Sequence, residues 1–150
     1  MRLKLILLTL ALVMTVFIST AKADLGLRIG SYTDADELFI GGEYIAPLAT
    51  RTYINPNIEY VFVDNATFMT FNLDVHYDFY QTGRATAWAG AGLGIQYWDF
   101  EGDDNSSTET GLNILAGIGL LTKADVMPYV QLKIILGEYD DVVLGIGIRF

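Results

Sequence analysis

The stretch "MTFNLDVHYDF", from Met69 to Phe79, places polar residues at every second position, and the last three of them are ionisable. Asp74, His76 and Asp78 alternate with large apolar residues, so an extended chain presents all three on one face. A histidine between two carboxylates could serve in acid–base chemistry or in a buried ion-pair network. Which of the two applies depends on the elements that position these side chains.

Nucleophilic catalysis is not expected around His76, the one histidine of the chain. A nucleophile and its base must lie within hydrogen-bond reach, and Ser106 and Ser107 belong to a distant connection. The glycines of "AWAGAGLGIQ" do not follow the dinucleotide-binding pattern, and "DFEGDDNSS" lacks the spacing of a calcium-binding EF-hand loop. We expect no enzymatic activity, no cofactor and no dedicated metal site.

The elements that carry these residues read as strands. Eight segments with period-two character, separated by turn signals such as "VDNA" and "QTGR", account for nearly all of residues 24–150. The segments are Leu25 to Ser31, Leu38 to Ala46, Tyr53 to Val63, Thr67 to Phe79, Ala85 to Tyr97, Thr108 to Leu121, Met127 to Ile135 and Val142 to Phe150. The sequence therefore predicts an all-β fold in which consecutive strands pair antiparallel.

Glycine decides which face of these strands points inward. In "ATAWAGAGLGIQYW" the apolar row alternates with a row that includes Gly90, Gly92 and Gly94. Glycine weakens a strand unless space is short, and the interior of an eight-stranded barrel is just wide enough to be filled by side chains. We therefore predict an up-and-down transmembrane β-barrel whose apolar row faces outward.

The inward row carries both signs of charge. The interior polar residues predicted from the alternation are Arg28, Glu43, Glu59, Asn72, Asp74, His76, Gln96, Lys133 and Arg149, together with Asn113 and Gln131. Buried charges persist when they are paired and hydrogen-bonded. Two interpretations remain open: a structural network that fastens the strands together, and a gate or proton path through the lumen.

Segment length and aromatic residues are consistent with a membrane-spanning barrel. A tilted transmembrane strand needs roughly 9 to 11 residues, which these segments supply. Aromatic residues near the strand ends predict two interfacial belts. One belt comprises Tyr60, Phe62, Phe68, Tyr97 and Phe100, and the other Tyr53, Tyr77, Phe79, Tyr80 and Phe150.

The N-terminus predicts export. Residues 1–23 combine Arg2 and Lys4, an apolar stretch from Leu5 to Ile18 and an A-x-A arrangement before Asp24, which is typical of a cleaved secretory signal peptide. The remaining residues 24–150 are expected to form one β-barrel domain.

The net negative charge of the chain limits the kinds of molecule that it is expected to bind. The net charge is -9, and removal of the three basic residues of the signal segment leaves six basic residues against eighteen acidic ones, a net of -12. Such an acidic exported chain is not expected to bind nucleic acid. The chain has no cysteine, which excludes disulfides and cysteine-based metal or redox chemistry.

The predicted connections differ in charge at the two ends. The first, third, fifth and seventh connections are acidic, whereas the other three contain Arg51, Arg84 and Lys123. If both termini lie in the periplasm, the acidic connections face outward. Loose binding of divalent cations by these acidic outer loops, bridging lipopolysaccharide phosphates, is an open alternative.

Over nearly all of residues 24–150, the chain resembles the small eight-stranded outer-membrane β-barrel proteins, the OmpA-like and OmpX-like group within the porin family. The C-terminal "VVLGIGIRF" is similar to the signal by which such barrels contact the outer-membrane assembly machinery, and Gly145, Ile148 and Phe150 match it. Val143 stands where that signal has a polar residue. The resemblance implies the bacterial outer membrane as location, with lipid and lipopolysaccharide as surroundings.

Three classes of function follow. The first is an integral outer-membrane barrel with a structural or envelope-surface interaction role and a filled lumen. The second is a narrow pore, or a barrel that transports a small hydrophobic molecule. The third is a soluble periplasmic barrel of lipocalin type, against which the glycine rows and the charged interior argue.

Overall fold

The computed structural model describes residues 24–102 and 106–150, and these form eight β-strands. The strands are β1 (Asp24–Tyr32), β2 (Glu37–Ala49), β3 (Thr52–Val61), β4 (Ala66–Gln81), β5 (Ala85–Phe100), β6 (Ser106–Leu120), β7 (Met127–Gly137) and β8 (Asp141–Arg149). The predicted all-β class and strand number are confirmed. The predicted signal peptide, residues 1–23, lies outside the described residues.

The sheet closes on itself. Each strand pairs antiparallel with its neighbours in the sequence, and β1 pairs with β8 to complete the ring. In that closing pair Arg28 lies opposite Gly147, and Gly30 lies opposite Gly145. Because no strand is left with an open edge, the backbone groups of the wall are paired within the barrel.

The connections divide the barrel into two ends. The loop end carries connections 33–36, 62–65 and 138–140 and the described residues 101–102 after β5. The terminal end carries both ends of the barrel domain with connections 50–51, 82–84 and 121–126. Asp36, Arg51, Asn65 and Asp125 adopt positive φ in these turns. In residues 24–102 and 106–150, no helix is long and apolar enough to cross a membrane.

The apolar row faces outward on every strand, as the glycine pattern predicts. Leu93 in the middle of β5 is 67% exposed, whereas Asn113 on the adjoining strand is fully buried. The outer wall is therefore a continuous apolar surface and the interior is polar. This arrangement is the reverse of a soluble β-barrel.

Crowding explains the inward glycines. A Cβ atom added to Gly92 would lie 2.2 Å from Oδ1 of Asp74 and 2.4 Å from the carbonyl oxygen of Leu73. Gly42, which faces outward on β2, has its nearest such neighbour at 3.9 Å. The interior therefore has no room for a side chain at Gly92, which is the reason predicted for the glycine rows.

Three residues of the predicted aromatic belts lie on inward rows instead: Phe68, Tyr53 and Phe100, of which Phe100 follows Trp98 on β5 and is 48% exposed at the rim. Phe68 is fully buried and stacks on Trp98 with 3.7 Å between ring centroids, and Tyr53 stacks on His76 at 5.4 Å. Phe68 shares the inward row of Thr70 and Asn72 on β4, so strand alternation, not proximity to the strand end, decides its position. The rings of Phe68 and Tyr53 help to fill the two ends of the lumen.

The connection between the second and third predicted segments, residues 47–52, is also shorter than expected. β2 continues to Ala49 and the turn is confined to residues 50–51. A register shift between Pro47 and Ala49 accommodates the proline in the pairing of β2 with β3, since proline is tolerated in sheets mainly at such irregularities.

Candidate functional site

The centre of the lumen is organised around Glu59 of β3. Its buried carboxylate accepts hydrogen bonds from Nζ of Lys133 at 3.0 and 3.1 Å and forms an ion pair with Nη2 of Arg28 at 2.8 Å. The hydroxyl groups of Tyr32 and Thr70 also donate to it. The inward face of β3 thus holds a carboxylate that strands β1, β4 and β7 all contact.

A second buried carboxylate, Glu43 of β2, lies nearer the terminal end. It accepts from Nε of Arg149 at 2.9 Å and from Nδ2 of Asn55 at 2.8 Å, and Nη1 of Arg28 lies 3.7 Å away. Arg28 thereby links the two carboxylates. We call Arg28, Glu43, Glu59, Lys133 and Arg149 the ionic core.

An amide cluster lies beside the ionic core and consists of Asn57, Asn72, Asp74 and Asn113. Nδ2 of Asn57 and Nδ2 of Asn113 each donate to Asp74 at 2.9 Å. Nδ2 of Asn72 donates to Oδ1 of Asn57 at 3.0 Å, and Asn113 also donates to Asn72 at 2.9 Å. The cluster spans β3, β4 and β6, and its side-chain hydrogen bonds link β4 to β6, which are not neighbours in the sheet.

Apolar and aromatic side chains close both ends of this polar centre. Towards the loop end the buried group comprises Tyr32, Phe39, Val61, Phe68, Ile135 and Val143. Towards the terminal end, the guanidinium of Arg149 lies 4.5 Å from the Trp88 ring centroid and 4.6 Å from that of Tyr129. Cation–π contacts with these two rings therefore hold the guanidinium of Arg149 in place.

His76 and Gln96 face the lumen without joining either group. Nε2 of His76 lies 3.8 Å from Oδ1 of Asp78, while the carboxylate of Asp74 is engaged by the amides of Asn57 and Asn113. Gln96 is buried, and neither atom of its amide has a hydrogen-bond partner in the part of the chain that the structure describes. An unsatisfied buried polar group costs about 1–3 kcal/mol, so the buried amide of Gln96 lowers the free energy of unfolding.

The structure thus places all nine predicted interior residues inside the barrel, and seven of them belong to the ionic core or the amide cluster. Sequence reasoning missed Asn55, Asn57, Tyr32 and Thr70. Asn55 and Asn57 could have been found, because they share the inward row of Glu59 on β3. Asn113 and Gln131 lie inside as expected, and Gln131 accepts from the indole of Trp88 at 3.1 Å.

A small cavity of about 130 Å³ opens at the terminal end, lined by side chains that include Tyr53, His76, Asp78 and Arg149. The tight packing around Glu59 and Trp88 separates this cavity from the loop end. Residues 24–102 and 106–150 contain no group of three or more histidine, aspartate or glutamate side chains arranged to hold a metal ion. The arrangement is thus a packed polar interior with a shallow opening on one side.

Charge separates along the barrel axis. In the lumen Arg28, Lys133 and Arg149 balance Glu43, Glu59 and Asp74, and at the terminal end Arg51, Arg84 and Lys123 balance Asp24, Asp78 and Asp125. Among its described residues the loop end has no lysine or arginine but ten carboxylates: Asp34, Asp36, Glu37, Asp64, Asp99, Glu101, Glu109, Glu138, Asp140 and Asp141. The net negative charge of the barrel is therefore concentrated there.

Comparison with solved structures agrees with this architecture. The chain superposes on the N-terminal β-barrel domain of Pseudomonas aeruginosa OprF with a TM-score of 0.72 at 20% identity, covering 87% of this chain and 97% of that one. Neisserial surface protein A gives a TM-score of 0.62 at 16% identity, with 85% and 92% covered. Ail of Yersinia pestis gives 0.52 at 15% identity, with 85% and 99% covered.

No protein-family model matches the sequence, and no curated protein matches it either. The structural likenesses, all at low identity, establish the fold. The chain has the architecture of the small eight-stranded outer-membrane β-barrels, as the sequence resemblance predicts.

Proposed function

We propose that this chain is an integral outer-membrane β-barrel protein with a closed lumen and a structural or envelope-surface interaction role. The observation that carries the proposal is the inverted distribution of side chains, with an apolar outer wall and an ionic interior. A soluble protein rarely exposes an apolar patch larger than a few hundred Å², whereas here every strand contributes exposed leucine, isoleucine or aromatic residues to one continuous band. Lipid is the surrounding in which such a wall is stable.

Aromatic residues support the same placement. Tyr60 and Phe62 are exposed near the loop end, where Tyr97 lies on the outward row of β5, and Tyr77, Phe79, Tyr80 and Phe150 are exposed near the terminal end. Tyrosine and phenylalanine girdles of this kind flank the apolar band of transmembrane barrels, where their rings sit at the headgroup level. The chain thus carries two belts, without the contributions of Phe68, Tyr53 and Phe100.

The filled lumen favours a structural or surface role over transport. A narrow pore would need a continuous aqueous path, and the ionic core with its aromatic neighbours occupies the centre of the barrel. A lipocalin-type role would need an apolar interior for its ligand, and the interior here is charged. We propose a non-catalytic role because His76 lies beside Asp78 and Tyr53 rather than beside a nucleophile.

Membrane recovery combined with gel mobility tests the proposal. Outer membranes from cells that express the full chain should contain the protein, and unboiled and boiled samples should migrate differently because the closed barrel resists detergent until heated. Recovery in the soluble periplasmic fraction without a heat-dependent shift would contradict membrane integration. Conductance in a planar bilayer tests the closed lumen, and a stable open level would favour the pore instead.

A further inference from the structure

An aromatic cluster lies at the loop end and consists of Phe68, Trp98, Phe100 and Tyr139. Trp98 stacks between Phe68 and Phe100, with centroid distances of 3.7 and 6.0 Å. Tyr139, from the connection between β7 and β8, meets Phe68 and Trp98 edge-on at 6.4 and 6.0 Å. Tyr139 and Trp98 are only partly buried, so the cluster reaches the surface of the loop end.

Carboxylates from three different segments surround Tyr139. Partial burial together with the negative charges of Asp141, Asp34 and Glu109 raises the pKa of the Tyr139 hydroxyl. Asp141 is held in place because it accepts the backbone N–H groups of Asp34 at 3.0 Å and Ala35 at 3.3 Å. An aromatic ring within a ring of fixed negative charge is an environment that attracts an organic cation.

The cation that this environment requires is missing from the described residues. Lysine and arginine are absent from the loop end there, and the three interior cations face buried carboxylates of their own. Nothing in the described barrel therefore neutralises the ten loop-end carboxylates. Focused negative potential of this size raises the local concentration of cationic partners.

Gln96 is a second and independent sign of an absent ligand. It is 3% exposed, and its Oε1 and Nε2 atoms have no partner among residues 24–102 and 106–150. On the inward face of β5 it lies directly opposite Glu109 of β6 and one inward position below Trp98. Both its amide oxygen and its amide nitrogen thus lack a partner among the described residues, one inward position below Trp98.

We propose that the loop end binds a lysine- or arginine-rich peptide segment, one cationic side chain of which lies against Tyr139 among Asp34, Glu109 and Asp141. Six of the ten described carboxylates lie in the four connections of the loop end and the other four at the adjoining strand ends, a spread that fits several charges on one chain better than a single ion. The inserted ammonium or guanidinium group donates to the carboxylates and reaches towards Oε1 of Gln96. The remaining basic residues of the peptide contact the outer acidic positions.

Fluorescence anisotropy of a labelled octalysine peptide with the full chain in neutral detergent micelles tests this site. At low salt, about 20 mM, the wild type should bind, and the pair Asp34→Asn with Glu109→Gln should weaken binding by about tenfold or more. The matched pair Asp64→Asn with Glu101→Gln removes the same charge from other connections and should weaken binding by less than about threefold. Tyr139→Phe should retain affinity, whereas Tyr139→Leu should lose it together with the ring.

Gln96→Leu separates ligand binding from folding. This change removes the unsatisfied amide, so the unfolding midpoint should not fall, while peptide affinity should fall by about threefold or more. Equal weakening by both charge pairs would reduce the interaction to diffuse attraction and overturn the site. Displacement of the peptide by Mg²⁺, but not by NaCl of equal ionic strength, would overturn it in favour of a divalent ion. Because the assay uses micelles, its failure is distinguishable from a failure of outer-membrane location.

Discussion

Glu59 shows how a single residue governs the interior. Its carboxylate meets Lys133 and Arg28 and two hydroxyl groups, all out of contact with water. A buried ion pair contributes modestly to net stability, but removal of one member leaves the other charge uncompensated in a low-dielectric surrounding. The stability of the barrel therefore depends on keeping the ionic core complete.

Glu59→Ala should lower the free energy of unfolding by about 3–5 kcal/mol, because it leaves Lys133 and Arg28 buried without their shared carboxylate. Arg149→Ala should act in the same direction through the loss of its bond to Glu43. Urea titration of the protein in lipid vesicles, followed by tryptophan fluorescence, measures both effects. Glu101→Gln, at an exposed loop-end position, is the control and should change the midpoint little. Unchanged midpoints for both interior variants would show that the ionic core does not stabilise the fold.

Gly92 tests the packing of the same interior. Gly92→Ala should lower the free energy of unfolding by about 1–3 kcal/mol, because its Cβ atom would overlap Asp74 and the backbone of Leu73. Gly42→Ala is the matched control on the outer wall of a strand, where the space is open, and should be neutral or slightly stabilising. Equal unfolding midpoints of the two variants would mean that the interior tolerates more volume than the structure indicates.

At the scale of the strand, period-two alternation was enough to predict most of the fold. It identified all eight strands, the outward apolar face and the inward position of residues such as Arg28 and Lys133. The failures at Phe68, Tyr53 and Phe100 came from giving proximity to a strand end precedence over alternation. Applied without exception, the alternation places Phe68 with Thr70 and Tyr53 with Asn55, which is where the structure has them.

Pairing between distant strands could not be predicted from the sequence. Arg149 bonds to Glu43, and Lys133 bonds to Glu59, although 106 and 74 positions separate the members of these pairs. The alternation within a strand shows whether a residue faces inward. Its height along the barrel axis depends on the register of every strand pair that separates it from its partner. For the same reason no local signal reveals that Gln96 lacks a partner while Asn72 has several.

The outward face of β5 provides a prediction at this scale. Leu93→Arg, at the middle of the strand, should lower the free energy of unfolding in phospholipid vesicles by about 2–4 kcal/mol, because the charge would lie in hydrocarbon. Tyr97→Arg, nearer the loop end on the same face, should cost about 0–1 kcal/mol. Equilibrium refolding from urea measures both. Equal costs at the two depths would argue against a membrane normal that runs along the barrel.

At the scale of the whole molecule, the separation of charge affects insertion into lipid. If the loop end crosses the bilayer, its acidic connections must approach and pass the lipid surface. At low salt we expect refolding into vesicles to slow as the fraction of anionic lipid rises, because like charges repel, and to recover at about 0.5 M salt. Heat-dependent gel mobility over time measures the rate. A rate that is independent of lipid charge would indicate that the loop end does not pass the membrane first.

The closing pair of the barrel joins its first strand in the sequence, β1, to its eighth, β8. β1 and β8 lie more than 100 positions apart in the chain, yet Arg28 faces Gly147 across their shared seam. Until β8 arrives, β1 and β7 both present unpaired backbone edges, which hydrocarbon cannot accept. Addition of β8 is therefore required for a stable barrel in lipid, and a barrel that lacks β8 stays available to chaperones and proteases. A chain cut short before Asp141 should be degraded rather than embedded.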